Sequence, residues 1–195
     1  MPGGSLESLE VGGKPWSELG PDLGFLKLPE QTAEALATFC SYLNLPQQAR
    51  LVATPPPNNT KHYEIVIGVV QEWISDDPSK VLEKGIVNGL ANAGTVVAIP
   101  AHSGFDRFQF TPGKAEIELP STYGGTSGGG LWRIYMDEPP GIEQERVQTR
   151  LLGIPFYEIK VPDSSPNIIC HGPGSIYDLF MGQIRNRWPG ETAGM

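Results

Sequence analysis

Seven short runs of β-favouring residues, each cut off by glycine, proline, asparagine or aspartate, constrain the fold of this chain more than any other feature. They cover residues 63–70, 94–101, 107–110, 115–119, 131–136, 150–157 and 167–170. Runs this short, at roughly even spacing, build an antiparallel sandwich or barrel. The 24 glycines and 19 prolines in 195 residues agree, since both residue types interrupt long helices.

Residues 1–20, rich in Gly, Ser and Pro, are expected to form a flexible lead-in. A short buried strand is expected over 22–28. Pro29 is expected to open a helix that ends before Pro46, with Leu36, Phe39, Cys40 and Leu43 forming its apolar stripe. Pro55-Pro56-Pro57-Asn58-Asn59 can continue neither a helix nor a central strand and marks a lobe boundary. Two lobes follow: residues 21–54 with a strand and a helix, and residues 60–188 with the β-rich part. A closing helix is expected from about 175 to 187. Ser175 would be its N-cap, Asp178 its capping-box partner, and Ile176, Leu179, Phe180 and Ile184 its buried face.

The formal net charge of −8 disfavours nucleic acid and anionic membrane as partners, because phosphate binding needs a basic face. No stretch is long and apolar enough to span a bilayer. Cys40 and Cys170 lie far apart with no metal-ligand spacing, so neither a metal nor another cofactor is expected. They form either one long-range disulfide or, more simply, two buried thiols in a reducing compartment. With no signal peptide at Met1, the expected location is the cytoplasm.

The chemistry is concentrated in Gly124-Gly125-Thr126-Ser127-Gly128-Gly129-Gly130-Leu131-Trp132. An acyl nucleophile needs an exposed hydroxyl, a base, and donors aimed at the developing oxyanion. Gly125, two residues before Ser127, allows a sharp turn that would converge the Gly125 and Ser127 amides into an oxyanion hole. Each such donor typically lowers the barrier by ~3 kcal/mol. A flexible glycine turn and an anion-binding turn are the other readings of these residues. A Walker loop is excluded, because no lysine follows the glycines.

Gly125-Thr126-Ser127-Gly128-Gly129 followed by an apolar strand resembles the Gly-x-Ser-Gly-Gly signature of trypsin-like (chymotrypsin-fold) serine peptidases. Leu151-Leu152-Gly153-Ile154-Pro155-Phe156-Tyr157 resembles the strand that lines the substrate groove in that family. Asp22-Leu23-Gly24-Phe25-Leu26-Lys27-Leu28 resembles the bacterial segment that carries the triad aspartate. The resemblance implies a mainly β, chymotrypsin-like antiparallel barrel, with the second barrel complete, the first partial, and one helix in each half. It implies Ser127 as nucleophile, Asp22 as orienter of a histidine, and a peptide or protein as substrate or ligand. It also puts Ser121 at the base of the primary specificity pocket, Phe156 and Tyr157 along the groove, and Glu158 at the pocket rim.

The family's histidine precedes its aspartate, and here no histidine precedes Asp22. His62 is expected at the surface. His102 lies on the wrong side of Asp22 to serve as the base. His171 is expected to be a structural hydrogen-bonding residue at a strand-to-helix junction. Loss of a triad member leaves weak residual catalysis. The chain is therefore expected to be an inactive or incomplete peptidase, whose histidine lies outside it or whose second lobe survives alone. A non-catalytic peptide-binding module is the alternative, and a ligand-binding barrel unrelated to peptidases is a third reading.

Overall fold

The computed structural model describes residues 7–11, 22–56, 61–71, 89–113, 119–137, 146–162 and 164–189. Its centre is a closed antiparallel barrel of six strands: β3 (Lys61–Val69), β4 (Gly89–His102), β5 (Phe105–Pro112), β6 (Gly130–Asp137), β7 (Arg146–Ile159) and β8 (Asn167–His171). Two three-stranded meanders, β3-β4-β5 and β6-β7-β8, are joined by β5–β8 and β3–β6 pairing. The closed ring leaves no open edge between the meanders.

Six of the seven expected β-runs are barrel strands; residues 115–118 of the other lie outside the described residues. Inward positions carry the core. Val66, Val70, Leu90, Phe110, Leu131, Ile168 and Cys170 are each at most 2% exposed. Burial of apolar area at about 25 cal/mol per Å² makes this cluster the main stabilising term.

The N-terminal part departs from expectation in three places. Strand β1 (Glu7–Val11) falls within the expected flexible lead-in and pairs antiparallel with β2 (Leu23–Lys27). The helix expected between Pro29 and Pro46 is the shorter α1 (Glu30–Ala37), and a second, unexpected helix follows, α2 (Leu45–Ala53). Pro46 sits in the first turn of α2, where a missing N–H costs nothing, and Asn44 Oδ1 accepts the Gln47 N–H at 2.8 Å as N-cap. The expected apolar stripe is not buried: Leu36 is 41%, Leu43 43% and Phe39 90% exposed. This part supplies a two-stranded sheet and two helices and, among the described residues, no other barrel.

α2 is bolted to β7. Gln48 Oε1 accepts the Leu151 N–H (3.0 Å), and the Tyr177 hydroxyl donates to the Leu151 carbonyl (2.7 Å). The register shift between Leu131 and Trp132 leaves Leu152 without a partner on β6, and beside this bulge side chains from two helices satisfy the N–H and C=O of Leu151. The chain closes with a π-helical segment, Gly174–Phe180, that runs into α3 (Met181–Arg187). Phe25 of β2 packs edge-on against Phe180 and Trp188, each at 5.1 Å, and so ties the β1–β2 pair to this closing segment.

Ser175 is not the N-cap. The segment begins after Pro173, which makes no side-chain cap hydrogen bond, and the acceptor comes from β5. The Asp106 carboxylate accepts the N–H groups of Gly174 (3.1 Å) and Ser175 (2.6 Å) and the Ser175 hydroxyl (2.6 Å). A negative charge at a helix start is also favoured by the dipole. Asp106→Ala is expected to lower unfolding free energy by about 1–3 kcal/mol. Ser175→Ala should lower it by less, and the two changes together by less than their sum. Urea denaturation of the four proteins measures this; strict additivity would mean that the residues act separately.

Candidate functional site

The segment between Pro120 and β6 is two consecutive β-turns sharing Thr126. The Thr126 N–H donates to the Tyr123 carbonyl (3.0 Å) and the Gly129 N–H to the Thr126 carbonyl (2.9 Å). The third position of each turn has positive φ, +92° at Gly125 and +79° at Gly128, which an L side chain rarely adopts. At Gly125 space is also closed: a Cβ would lie 2.9 Å from both Gln71 N and Val69 O at the end of β3.

This geometry decides which amides are used. Gly124 N–H donates to Thr122 Oγ1 (3.1 Å), and Gly128 N–H donates to Pro155 O on β7 (3.2 Å). Thr126 is 3% exposed, and its N–H and hydroxyl both turn inward to Tyr123 O. The N–H groups of Gly125 and Ser127, on either side, make no hydrogen bond among the described residues. Both residues are exposed, and the Ser127 hydroxyl is also unbonded. The two amides expected as oxyanion donors are therefore the ones the turns leave unpaired.

These residues line a cleft of about 730 Å³. Phe156, Tyr157 and Glu158 of β7 form its facing wall, with Gln71, Lys160 and Ile168 alongside. The β6–β7 ladder ends at Gly153, so from Tyr157 to Ile159 β7 pairs with β8 and, among the described residues, has no strand partner on the side of the serine loop. Glu158 narrows the cleft and fixes its wall. Its carboxylate accepts from Thr122 Oγ1 (2.8 and 3.0 Å) and from the Tyr123 N–H (2.6 Å). Tyr123, 2% exposed, has its pKa raised by burial and by the Glu158 charge, against the hydrogen bond to its hydroxyl from Asn92 Nδ2 (2.9 Å).

Ser121 is exposed and does not line the cleft, whereas Tyr123 does. Asp22 is exposed and does not line it either. None of the three histidines does. His62 stands 3.6 Å from Glu64 on β3, and His102 ends β4. Asp22 does meet a histidine, but through its backbone: its N–H donates to His171 Nε2 at 3.1 Å.

His171 is fully buried. It stacks on Phe156 at 4.1 Å, with Phe105 edge-on at 6.0 Å. Because Nε2 accepts, the ring proton lies on Nδ1, which has no partner. Burial pulls its pKa down to about 4, with Asp106 opposing and Arg107 assisting. Of the thiols, Cys170 is buried with its pKa raised by desolvation, whereas Cys40 is exposed; both are free, so neither the disulfide nor two buried thiols describes them.

Sequence reading missed the Glu158 latch and the Asp22–His171 contact, which join residues far apart in the chain and leave no local signal. It also missed the inward turn of Thr126 onto Tyr123, three residues earlier. Among the described residues, no group of three metal-ligating side chains occurs, and no helix is long and apolar enough to cross a membrane. Comparison with protein-family models, curated proteins and solved structures gives no match.

Two measurements test this geometry. Gly125→Ala combines a positive φ with a backbone clash, whereas a Cβ on Gly128 meets nothing within 4 Å. Gly125→Ala should cost roughly 1–3 kcal/mol and Gly128→Ala clearly less, by denaturant unfolding. Equal costs would remove the close approach to β3. The His171 value, about 4 against an ordinary 6.5, is depressed. Its contribution is thus present above pH 6.5 and lost as pH falls toward 4, on the order of 3 kcal/mol in all. A stability-versus-pH series should show this slope in the native chain and lose it in His171→Gln.

Proposed function

We propose that the cleft beside Ser127 is a serine-peptidase-type site that holds an extended peptide, with Ser127 at the nucleophile position and the general base missing from this chain. The observation that carries this reading is the pair of unpaired, exposed amides at Gly125 and Ser127, flanking a residue whose own amide is turned inward. Oxyanion stabilisation needs two such donors, held before the reaction by bonds elsewhere in the loop. The side of Tyr157–Ile159 left unpartnered among the described residues supports an extended peptide added as a further strand, with main-chain bonds giving affinity and the cleft giving specificity.

The chymotrypsin-like assignment of the barrel belongs to the same proposal. It is supported by one closed barrel in which the glycine-serine loop leads directly into a core strand, with the Leu152-Gly153-Ile154 segment on the strand beside it. Asp22 acts as orienter only for a histidine brought from outside, since His171 engages its backbone and stands behind Phe156. The absence of every histidine from the cleft lining favours binding over turnover. The chain is accordingly a peptidase-like binding cleft that becomes hydrolytic only when a base is supplied.

An aryl phosphonate that labels activated serines, together with NMR titration of an extended-peptide library, tests this. Labelling is expected at Ser127 only, absent in Ser127→Ala. Its rate should fall short of a full triad, in keeping with the roughly 10³–10⁴-fold over water that survives loss of a triad member. Peptides should shift the amides of Gly125, Ser127 and Tyr157. A chain that neither labels nor shifts at these positions overturns the proposal.

A further inference from the structure

The barrel has a second opening. At the end away from the serine loop, a cavity of about 300 Å³ lies between the end of α2 and the inward side chains of β4 to β7. Val52, Val96, Phe108 and Leu152 form apolar walls, and Arg133, Tyr135 and Arg150 complete the lining.

The two arginines stand directly opposite each other on β6 and β7. Like charges at paired positions repel and need compensation. Arg133 has it: its Nε and Nη2 lie 2.9 and 2.8 Å from Glu64 Oε1. Arg150 does not. It is 3% exposed, and its guanidinium donates only to neutral oxygens: Thr54 O (2.7 Å), Pro55 O (3.3 Å) and Gln148 Oε1 (3.4 Å). It lies over the Tyr135 ring at 4.6 Å, makes no ion pair, and its Nε has no partner. A buried charge held by neutral groups alone is costly unless an opposite charge joins it. In a chain of net charge −8, one carboxylate serving two arginines among the described residues leaves this cavity locally positive.

We infer that the cavity binds a small organic carboxylate with an apolar body. The head group sits on the Arg133–Arg150 pair, and the body lies against Val96, Phe108 and Leu152. A guanidinium presents paired donors that match a carboxylate and a fixed geometry that an ammonium lacks. A bare inorganic anion would leave the apolar walls unfilled, and an uncharged apolar molecule would leave Arg150 uncompensated. The volume is at the small end of the range for small-molecule sites, and the mix of apolar walls with few charged groups is typical of them. The buried core between the two ends of the barrel makes this site independent of the serine cleft.

Isothermal calorimetry of the full chain with octanoate tests it, with octanol and acetate as probes that keep only the body or only the head. Octanoate should bind with Kd near or below about 1 mM, and octanol and acetate at least tenfold more weakly. Ala98→Leu, which fills the cavity from β4, and Arg150→Lys, which keeps the charge but loses the fork, should each weaken octanoate roughly tenfold. Their thermal midpoints, measured alongside, separate loss of binding from loss of fold. Octanol binding as tightly as octanoate, full affinity in a folded Ala98→Leu protein, or no heat up to about 5 mM octanoate would each overturn the inference.

Discussion

The pairing of β3 with β6 is the constraint on which the rest of this structure depends. It runs from Lys61 opposite Met136 to Ile67 opposite Gly130 and turns two open meanders into a closed barrel. It also sets the tightness of the serine loop, because the chain entering β6 must pass over the end of β3. A Cβ on Gly129 would lie 2.4 Å from Ile67 O, and one on Gly68 would lie 3.1 Å from Thr126 Cβ. The glycines are thus placed where backbone presses on backbone, and the exposed Ser127 at the cleft mouth follows from that contact.

The polar groups around the loop divide cleanly. Those that are buried are satisfied: Thr126 by Tyr123 O, the Tyr123 hydroxyl by Asn92, and the Glu158 carboxylate by Thr122 and the Tyr123 N–H. Those left without partners are exposed, where water replaces them at little cost. The cleft therefore presents unpaired N–H groups, and no histidine lines it to act as a base. His171 cannot move into that role without losing both the Asp22 N–H and its stack on Phe156. A charged imidazole is further disfavoured in its dry surroundings.

What could be read in the sequence was what is local. Strand positions were legible because turn residues bound each run, and the serine loop because its glycines mark positive φ at 125 and 128. Phe156, Tyr157 and Glu158 line the same cleft as the loop, and Ser121 does not. The misreadings concern features with two physical uses. Pro46 can stop a helix or open one, and only the Asn44 cap decides. Ser175 suits an N-cap, but Asp106 of β5 supplies a stronger acceptor from across the fold. The apolar spacing of Leu36, Phe39 and Leu43 says that a helix has a face, not that anything covers it. β1 carries two glutamates in five residues and gave no β signal; its pairing with β2 is a tertiary outcome.

The interior rows of the barrel change character along their length. On β6 the inward positions pass from Leu131 to Arg133 to Tyr135, and on β3 from Val66 to Glu64. Six strands enclose a narrow interior that side chains fill, so charge can be accommodated only where the ring opens. The apolar middle excludes water and insulates the two ends from each other. The far end tolerates an arginine only because α2 brings the carbonyls of Thr54 and Pro55 to it. The helix that sequence reading overlooked is thus what allows the barrel to end in charge, and the residues that hold α2 in place, Gln48 and Tyr177, do so at the same strand that carries both Arg150 and the wall of the serine cleft.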